Sequence, residues 1–287
     1  MKASFRTILL SFLIIIGMGL GTYAHAEEVA VNPACLPAEA PKPTGKMIPE
    51  DLTADLNVSL YSQYIWRGYE LSRDSLVVFP TMTIGYKGFA VNLWADLDTN
   101  FGTGNEDRHF KLQETDVTVS YSNSYDPWKL NYSLGWILYD YQPTAGNADQ
   151  TITDTKNQEL FLSLGLDTFL NPTLSIYNEI EIGQAWYFSL GLSHSFAVYK
   201  DWSLDVGGWV SYLHDKSDSD FSNFHDGNVS AGLNIPLNNY LSIKPNLQYS
   251  FALSGDAAQR IRDNSEGLFH HRQDNFLYGG IILDLAI

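Results

Sequence analysis

The chain has 287 residues, with 17 Lys and Arg against 33 Asp and Glu, for a formal charge of −16 at neutral pH. So acidic a chain is a poor partner for nucleic acid or for anionic lipid headgroups. Hydrophobic content of 45% with a slightly negative mean hydropathy excludes a helical membrane protein. It does not exclude a barrel, whose strands hide their apolar half by alternation. An aromatic share of 14%, with 17 Tyr and 7 Trp, points to bilayer interfaces.

At the N-terminus, Lys2 and Arg6 precede an apolar run over residues 8–20, and Ala24-His25-Ala26 is a small-residue cleavage pattern. This is the signature of a secretory signal peptide over residues 1–26. Its removal takes away two cations and no anion, so the charge becomes 15 − 33 = −18. Residues 27–52 hold five of the eleven prolines and show no alternation, as expected of a periplasmic tail. The single Cys35 has no internal disulfide partner.

From residue 53 to 287 the sequence alternates. Residues 55–67 place Leu56, Val58, Leu60, Tyr64 and Trp66 on one phase and Asn57, Ser59, Tyr61, Gln63 and Arg67 on the other. Successive strand side chains point to opposite faces, so this is a strand with lipid on one side and a polar interior on the other. A tilted membrane strand needs roughly 9 to 11 residues. Eleven further segments follow, near residues 76–86, 89–98, 111–122, 127–139, 158–168, 173–183, 186–197, 201–212, 227–235, 240–253 and 274–286. Connections after the second, fourth, sixth, eighth and tenth are short. Those after the first, third, fifth, ninth and eleventh are longer and rich in Gly, Asp, Ser and Asn, and the tight link after the seventh is the exception. An up-and-down outer-membrane β-barrel of twelve antiparallel strands, with short periplasmic turns and both termini in the periplasm, has this asymmetry. Pro80 and Pro245 fall inside strands on the outward phase, where each removes a ladder donor and predicts a local bulge. The last strand ends in Ile287 rather than an aromatic, a departure that bears on handling by the barrel assembly machinery.

At Ser62-Gln63-Tyr64-Ile65-Trp66-Arg67-Gly68, followed by Ser72, Pro80, Gly88-Phe89 and Trp94, the sequence resembles the TorF-type porin family. The resemblance is strongest over the first three segments. It implies an outer-membrane barrel acting as a passive channel and implies no particular substrate.

The inward phase carries the candidate functional residues. Asp96, Asp98, Glu114, Asp116, Glu159, Asp167, Glu179, Glu181, Asp205 and Asp284 face Arg67, Lys129 and Lys244, ten anions against three cations. Arg67 has the role of a clamp on nearby carboxylates at the outer end. Rings of acidic side chains concentrate cations, so the expected function is passive diffusion of small polar solutes with a preference for cations. The alternative is a narrow structural or adhesive barrel without transport. Small inward residues such as Ser163, Gly165, Ser189 and Gly191 favour open space, whereas inward Tyr61, Trp94, Phe161 and Trp209 narrow it. Partners are then outer-membrane lipid, small solutes or cations and the barrel assembly machinery; no cofactor is expected.

Enzymatic layouts fit poorly. Asp96 and Asp98 with Asp107 and His109 lie beside one strand, whereas an omptin-like protease needs its Asp–His pair on the opposite wall to flank a water. His194 and Ser195 point to opposite faces, which rules against a phospholipase pair. His109, His214, His225, His270 and His271 are placed in or beside outer loops, at spacings that match no defined metal site.

Overall fold

The computed structural model describes residues 51–101, 109–141, 156–181, 184–216 and 221–286. The signal segment 1–26, Cys35 and all but the end of the proline-rich tail lie outside these residues. Twelve strands close into one antiparallel barrel. In chain order they are β1 (Leu52–Tyr61), β4 (Val77–Tyr86), β5 (Phe89–Phe101), β6 (His109–Tyr125), β7 (Leu130–Tyr141), β8 (Lys156–Leu166), β9 (Thr173–Glu179), β10 (Trp186–Tyr199), β11 (Trp202–Asp215), β12 (Phe221–Pro236), β13 (Leu241–Ala252) and β14 (Asn275–Ala286). Each pairs with its neighbour, and β1 closes the ring on β14 with Leu60 opposite Ile281. Closure leaves no edge, which is what lipid demands of a spanning sheet, since an unpaired backbone group there costs several kcal/mol.

Alternation sets the two faces. Leu134, Leu160, Leu162, Leu190, Leu192, Leu277, Ile281 and Leu283 are exposed on the outside, and polar and aromatic side chains fill the inside. Outward aromatics gather toward both ends: Tyr86, Phe89, Tyr125, Trp128, Phe169 and Tyr199 at the short-turn end, and Phe110, Trp186 and Phe224 at the other. Girdles of this kind flank the apolar band of outer-membrane barrels. The barrel sequence begins and ends at the short-turn end, because the strand count is even. The turn at Lys87-Gly88 shows how tightly that end is built: φ is 51° and 85° at its two central residues, the left-handed pair that a two-residue hairpin of matching twist requires.

Two expectations about strands are corrected. Register is constant through both prolines, with Val58 opposite Pro80 and Pro245 opposite Ile281. The missing donors leave gaps in the β4–β5 and β12–β13 ladders without an inserted residue. Register shifts occur elsewhere, between Asp96 and Leu97, between Asp98 and Phe101, between Ala197 and Tyr199, and between Val210 and Tyr212.

The first strand also stops early. β1 ends at Tyr61, and residues 62–75 leave the wall and turn into the lumen as a small hairpin of β2 (Ile65–Trp66) and β3 (Tyr69–Glu70). Tyr64 and Trp66 are therefore not lipid-facing. Tyr64 is 2% exposed and packs with Tyr61, Phe79 and Trp94. Polar and apolar residues alternate through Arg67, past the point where the wall strand ends, so periodicity alone does not mark the departure at residue 62.

The connection after β13 holds a helix, α1 (Gly255–Phe269), where the sequence predicts only an irregular loop. Ser254 caps it, accepting from the Ala257 amide at 3.1 Å and donating to the Phe224 carbonyl at 2.8 Å. Ala257, Ile261 and Ser265 form its buried stripe, at the four-residue spacing that lines one helix face. Ile261 joins the same core cluster as Tyr64 and Ile65. Hairpin and helix together fill the long-loop half of the lumen.

Candidate functional site in the lumen

The hairpin reaches the far wall. Its tip is Arg67-Gly68, with φ of 46° and 82°, a two-residue turn in which both residues are left-handed. Asn or Asp followed by Gly is the usual choice for such a turn, and an ordinary L-residue at the first position costs roughly 1–2 kcal/mol. Arginine there is explained by what its side chain touches. Its two terminal nitrogens each donate to one Glu159 oxygen at 2.8 Å. Its Cζ lies 4.7, 4.8 and 4.3 Å from the ring centroids of Trp66, Tyr177 and Tyr187. Tyr139 donates to Glu159 Oε2 at 2.8 Å, and Tyr187 donates to Asp226 Oδ1 at 3.0 Å. Glu159, Tyr177, Tyr187 and Asp226 stand on β8, β9, β10 and β12, across the ring from β1. The tip thus spans the pore, and side-chain exposures of 8% for Arg67 and 4% for Glu159 show that the pair is dry.

Gly68 permits this approach. A Cβ on it would lie 2.9 Å from Asp226 Cβ and 3.0 Å from Ile261 Cδ1, at a φ that L side chains rarely adopt. Gly68→Ala is therefore expected to loosen the tip from β12 and α1. Hydrogen exchange at amides 64–71 should speed up by about tenfold or more, for a loss of at least ~1.4 kcal/mol in local stability; unchanged exchange would show that the tip tolerates the clash.

The base of the hairpin is tied independently. Tyr64 N donates to Ser72 Oγ at 2.8 Å, Gln63 donates to Glu70 Oε1 at 2.6 Å, and His271 lies 2.7 Å from Glu70 Oε2. Arg73 meets both His271 and Glu70. From α1, Arg260 pairs with Asp215 and donates to the Tyr69 hydroxyl at 2.6 Å. Burial pushes the pKa of that hydroxyl up to about 12, and its contact with Arg260 pins β3 to the helix.

A second group lies on β5 and β6. Asp96 is directly opposite Glu114, and Trp94 is opposite Asp116, so the three carboxyls share the inner face. Tyr64 donates its hydroxyl to Glu114 Oε2 at 3.1 Å. Asp96, Asp98, Glu114 and Asp116 are 1, 2, 4 and 0% exposed. The hairpin covers this acidic wall, whereas the sequence placed it along open lumen. Asp98 has Lys111 opposite it in register and accepts from Gln113 at 3.1 Å; Lys111 was absent from the expected cations.

The remaining candidates separate. Glu179 sits opposite Glu159 and accepts from Asn157 at 2.5 Å. Asp205 accepts from Ser195 and Ser203 lower in the barrel, and Lys244 is on the inward phase near the short-turn end, opposite Ile282. Three placements are corrected. Asp167 lies past the end of β8 and is exposed. Lys129 is exposed in the turn after the 3-10 helix Asp126–Trp128, with φ of 50°, and not in a strand. Glu181 lies beyond the end of β9, exposed, and accepts from Gln158 on the outer phase at 2.7 Å. His225 is likewise no loop residue: the register shift between β11 and β12 turns both His225 and Asp226 inward, each 0% exposed. Asp107 lies outside the described residues. Among the described residues no group of three or more His, Cys, Asp or Glu could hold a metal.

Tyr139, Tyr177 and Tyr187 were missed by sequence reasoning. The inward phase of their segments contains them, but nothing in one sequence shows that three separate strands converge on Arg67.

The closed twelve-strand antiparallel ring with its apolar outer face defines an all-β up-and-down barrel of the build that lipid requires of a spanning sheet. Residues 47–169, less than half of the chain, match a family described as "Bacterial protein of unknown function (Gcw_chp)". No curated protein matches. Among solved structures, an outer membrane channel from Pseudomonas putida F1 is similar at 10% identity and a TM-score of 0.46, over 87% of this chain and 100% of that one. An anion-selective porin from Comamonas acidovorans is similar at 10% identity and TM-score 0.34, over 82% and 98%. The beta domain of a Bordetella autotransporter is similar at 10% and 0.33, over 82% and 98%. At such scores none of them bears on what this barrel carries.

Proposed function

We infer that the protein is an outer-membrane channel for passive diffusion of small polar solutes, that it prefers cations, and that it belongs to the TorF-type porin family. The observation that carries the preference is the grouping of Asp96, Glu114 and Asp116 on one wall. The nearby cations are engaged elsewhere, Arg67 by Glu159 and Lys111 opposite Asp98. A low-dielectric wall focuses the field of such a group and raises local cation concentration. The family membership is supported by the resemblance at residues 62–68, which here form the first arm and the tip of the hairpin. With this function go a cleaved signal at residues 1–26, a periplasmic tail at 27–52, insertion by the barrel assembly machinery, and long loops facing outward. The test is the sign of the reversal potential of the refolded protein in a salt gradient across a planar bilayer, expected to be that of a cation-preferring pore.

The second reading is a structural or adhesive barrel, favoured by the hairpin and α1 that fill the long-loop half. A folded barrel that passes no current would select it. Orientation is tested separately: an epitope inserted after Asn147 is expected to label on intact cells, and one after Pro172 or Asn238 only after permeabilisation. Labelling of both sets alike would reverse or break the topology.

A further inference from the structure

The guanidinium of Arg67 sits in a cage built mostly by the wall. Glu159 supplies both oxygens of a fork-to-fork contact at 2.8 Å, and Tyr139 orients that carboxylate through its hydroxyl. Tyr177 and Tyr187 present their faces at 4.8 and 4.3 Å, and Tyr187 is itself held by Asp226. These groups stand on β7, β8, β9, β10 and β12, strands of the closed wall and not of the hairpin. Only Trp66 travels with Arg67. A planar carboxylate fork between aromatic faces recognises a guanidinium in preference to an ammonium, which is a compact, strongly hydrated charge without the matching fork.

The occupant belongs to the hairpin and not to the wall. It hangs on two strands of two residues each, and its tip adopts a turn that arginine does not favour. Exchange of one guanidinium for another keeps Glu159 paired throughout, so the cost of a bare buried carboxylate does not arise. We propose that this cage is a binding site for small solutes bearing a guanidinium group, and that Arg67 is a tethered occupant which such a solute displaces, freeing the hairpin from the far wall. The proposal rests on the pore reading for the solute's route to the cage, and on the cage geometry for its recognition.

Calorimetric titration of the refolded protein with methylguanidinium and methylammonium tests it. Arg67→Ala is expected to bind methylguanidinium at least about tenfold more tightly than the wild type, because the tethered competitor is gone. Methylammonium should bind that variant about tenfold more weakly, and adding Glu159→Gln should abolish binding. Heat-modifiable electrophoretic mobility verifies that each variant is folded. On the wild type, which needs no substitution, methylguanidinium should accelerate hydrogen exchange at amides 64–71 and methylammonium should not. Exchange unchanged by methylguanidinium, equal binding of the two probes, or binding that survives Glu159→Gln overturns the proposal. Binding without any ionic current leaves the cage standing and overturns the pore; current with no binding overturns the cage alone.

Discussion

Arg67→Ala is expected to raise the ionic current through the refolded barrel and to lower its thermal stability. The substitution removes a dry bidentate pair with Glu159 and the cation that faces Trp66, Tyr177 and Tyr187. Breaking a buried pair by deleting one partner costs about 3–5 kcal/mol, since the other charge is left buried alone. All of that loss falls on the state in which the tip touches the far wall. A loss of ~3 kcal/mol moves the ratio of docked to released hairpin by roughly a hundredfold. The ties at Ser72, Glu70 and Arg260 hold the hairpin's base, so the barrel itself should survive. Glu159→Gln keeps the shape and the ring contacts, and should give the same change at smaller amplitude. Single-channel recording in planar bilayers reads the outcome. A current unchanged in Arg67→Ala, with only the melting temperature lowered, would make the hairpin a fixed filling and favour the structural reading.

Periodicity carried the barrel and failed at its contents for physical reasons. A wall strand has lipid on one side, and that single constraint writes a period of two into every segment; strand count and topology follow from it. Inside the lumen no such constraint acts. The alternation of residues 55–67 runs past Tyr61 into the first arm of the hairpin, so Tyr64 and Trp66 look like lipid-facing aromatics although they pack on Trp94 and Tyr139. Gly68 was the available warning that the chain bends at 67–68, since a two-residue turn with both residues left-handed favours Gly at its second position; Arg67 at the first position masked it. The helix had a local signature too, Ser254 before Ala257 with Ile261 and Ser265 at intervals of four, but loop composition outweighed it. The acidic wall was legible as a set on neighbouring strands. Its covering by the hairpin was not, because coverage is a contact between segments far apart in sequence.

Replacing Asp96 and Asp116 together by asparagine is expected to reduce the cation preference of the pore, and to do so more strongly when Arg67 is also replaced by alanine. In the docked state both carboxyls lie behind the hairpin, with exposures of 1 and 0%, so a passing ion feels them through Tyr64 and Trp94 rather than through water. With the tip released, the ion path runs closer to them. Close buried carboxyls do not all ionise together, so the group acts with less than its full count; each net charge ~6 Å from that path, at an effective dielectric constant of ~40, is worth about 1.4 kcal/mol to a monovalent cation, or roughly a tenfold change in partition. Asp98 is the weaker target, since Lys111 stands opposite it and already offsets its field. Asparagine preserves side-chain volume, so the change in permeability ratio reports charge. Raising the salt to 1 M, where the Debye length falls to about 3 Å, should shrink the wild-type preference and leave the neutralised variant little altered. Anion selectivity in the wild type, or a preference indifferent to both substitutions in the Arg67→Ala background, would remove this wall from the selectivity of the pore.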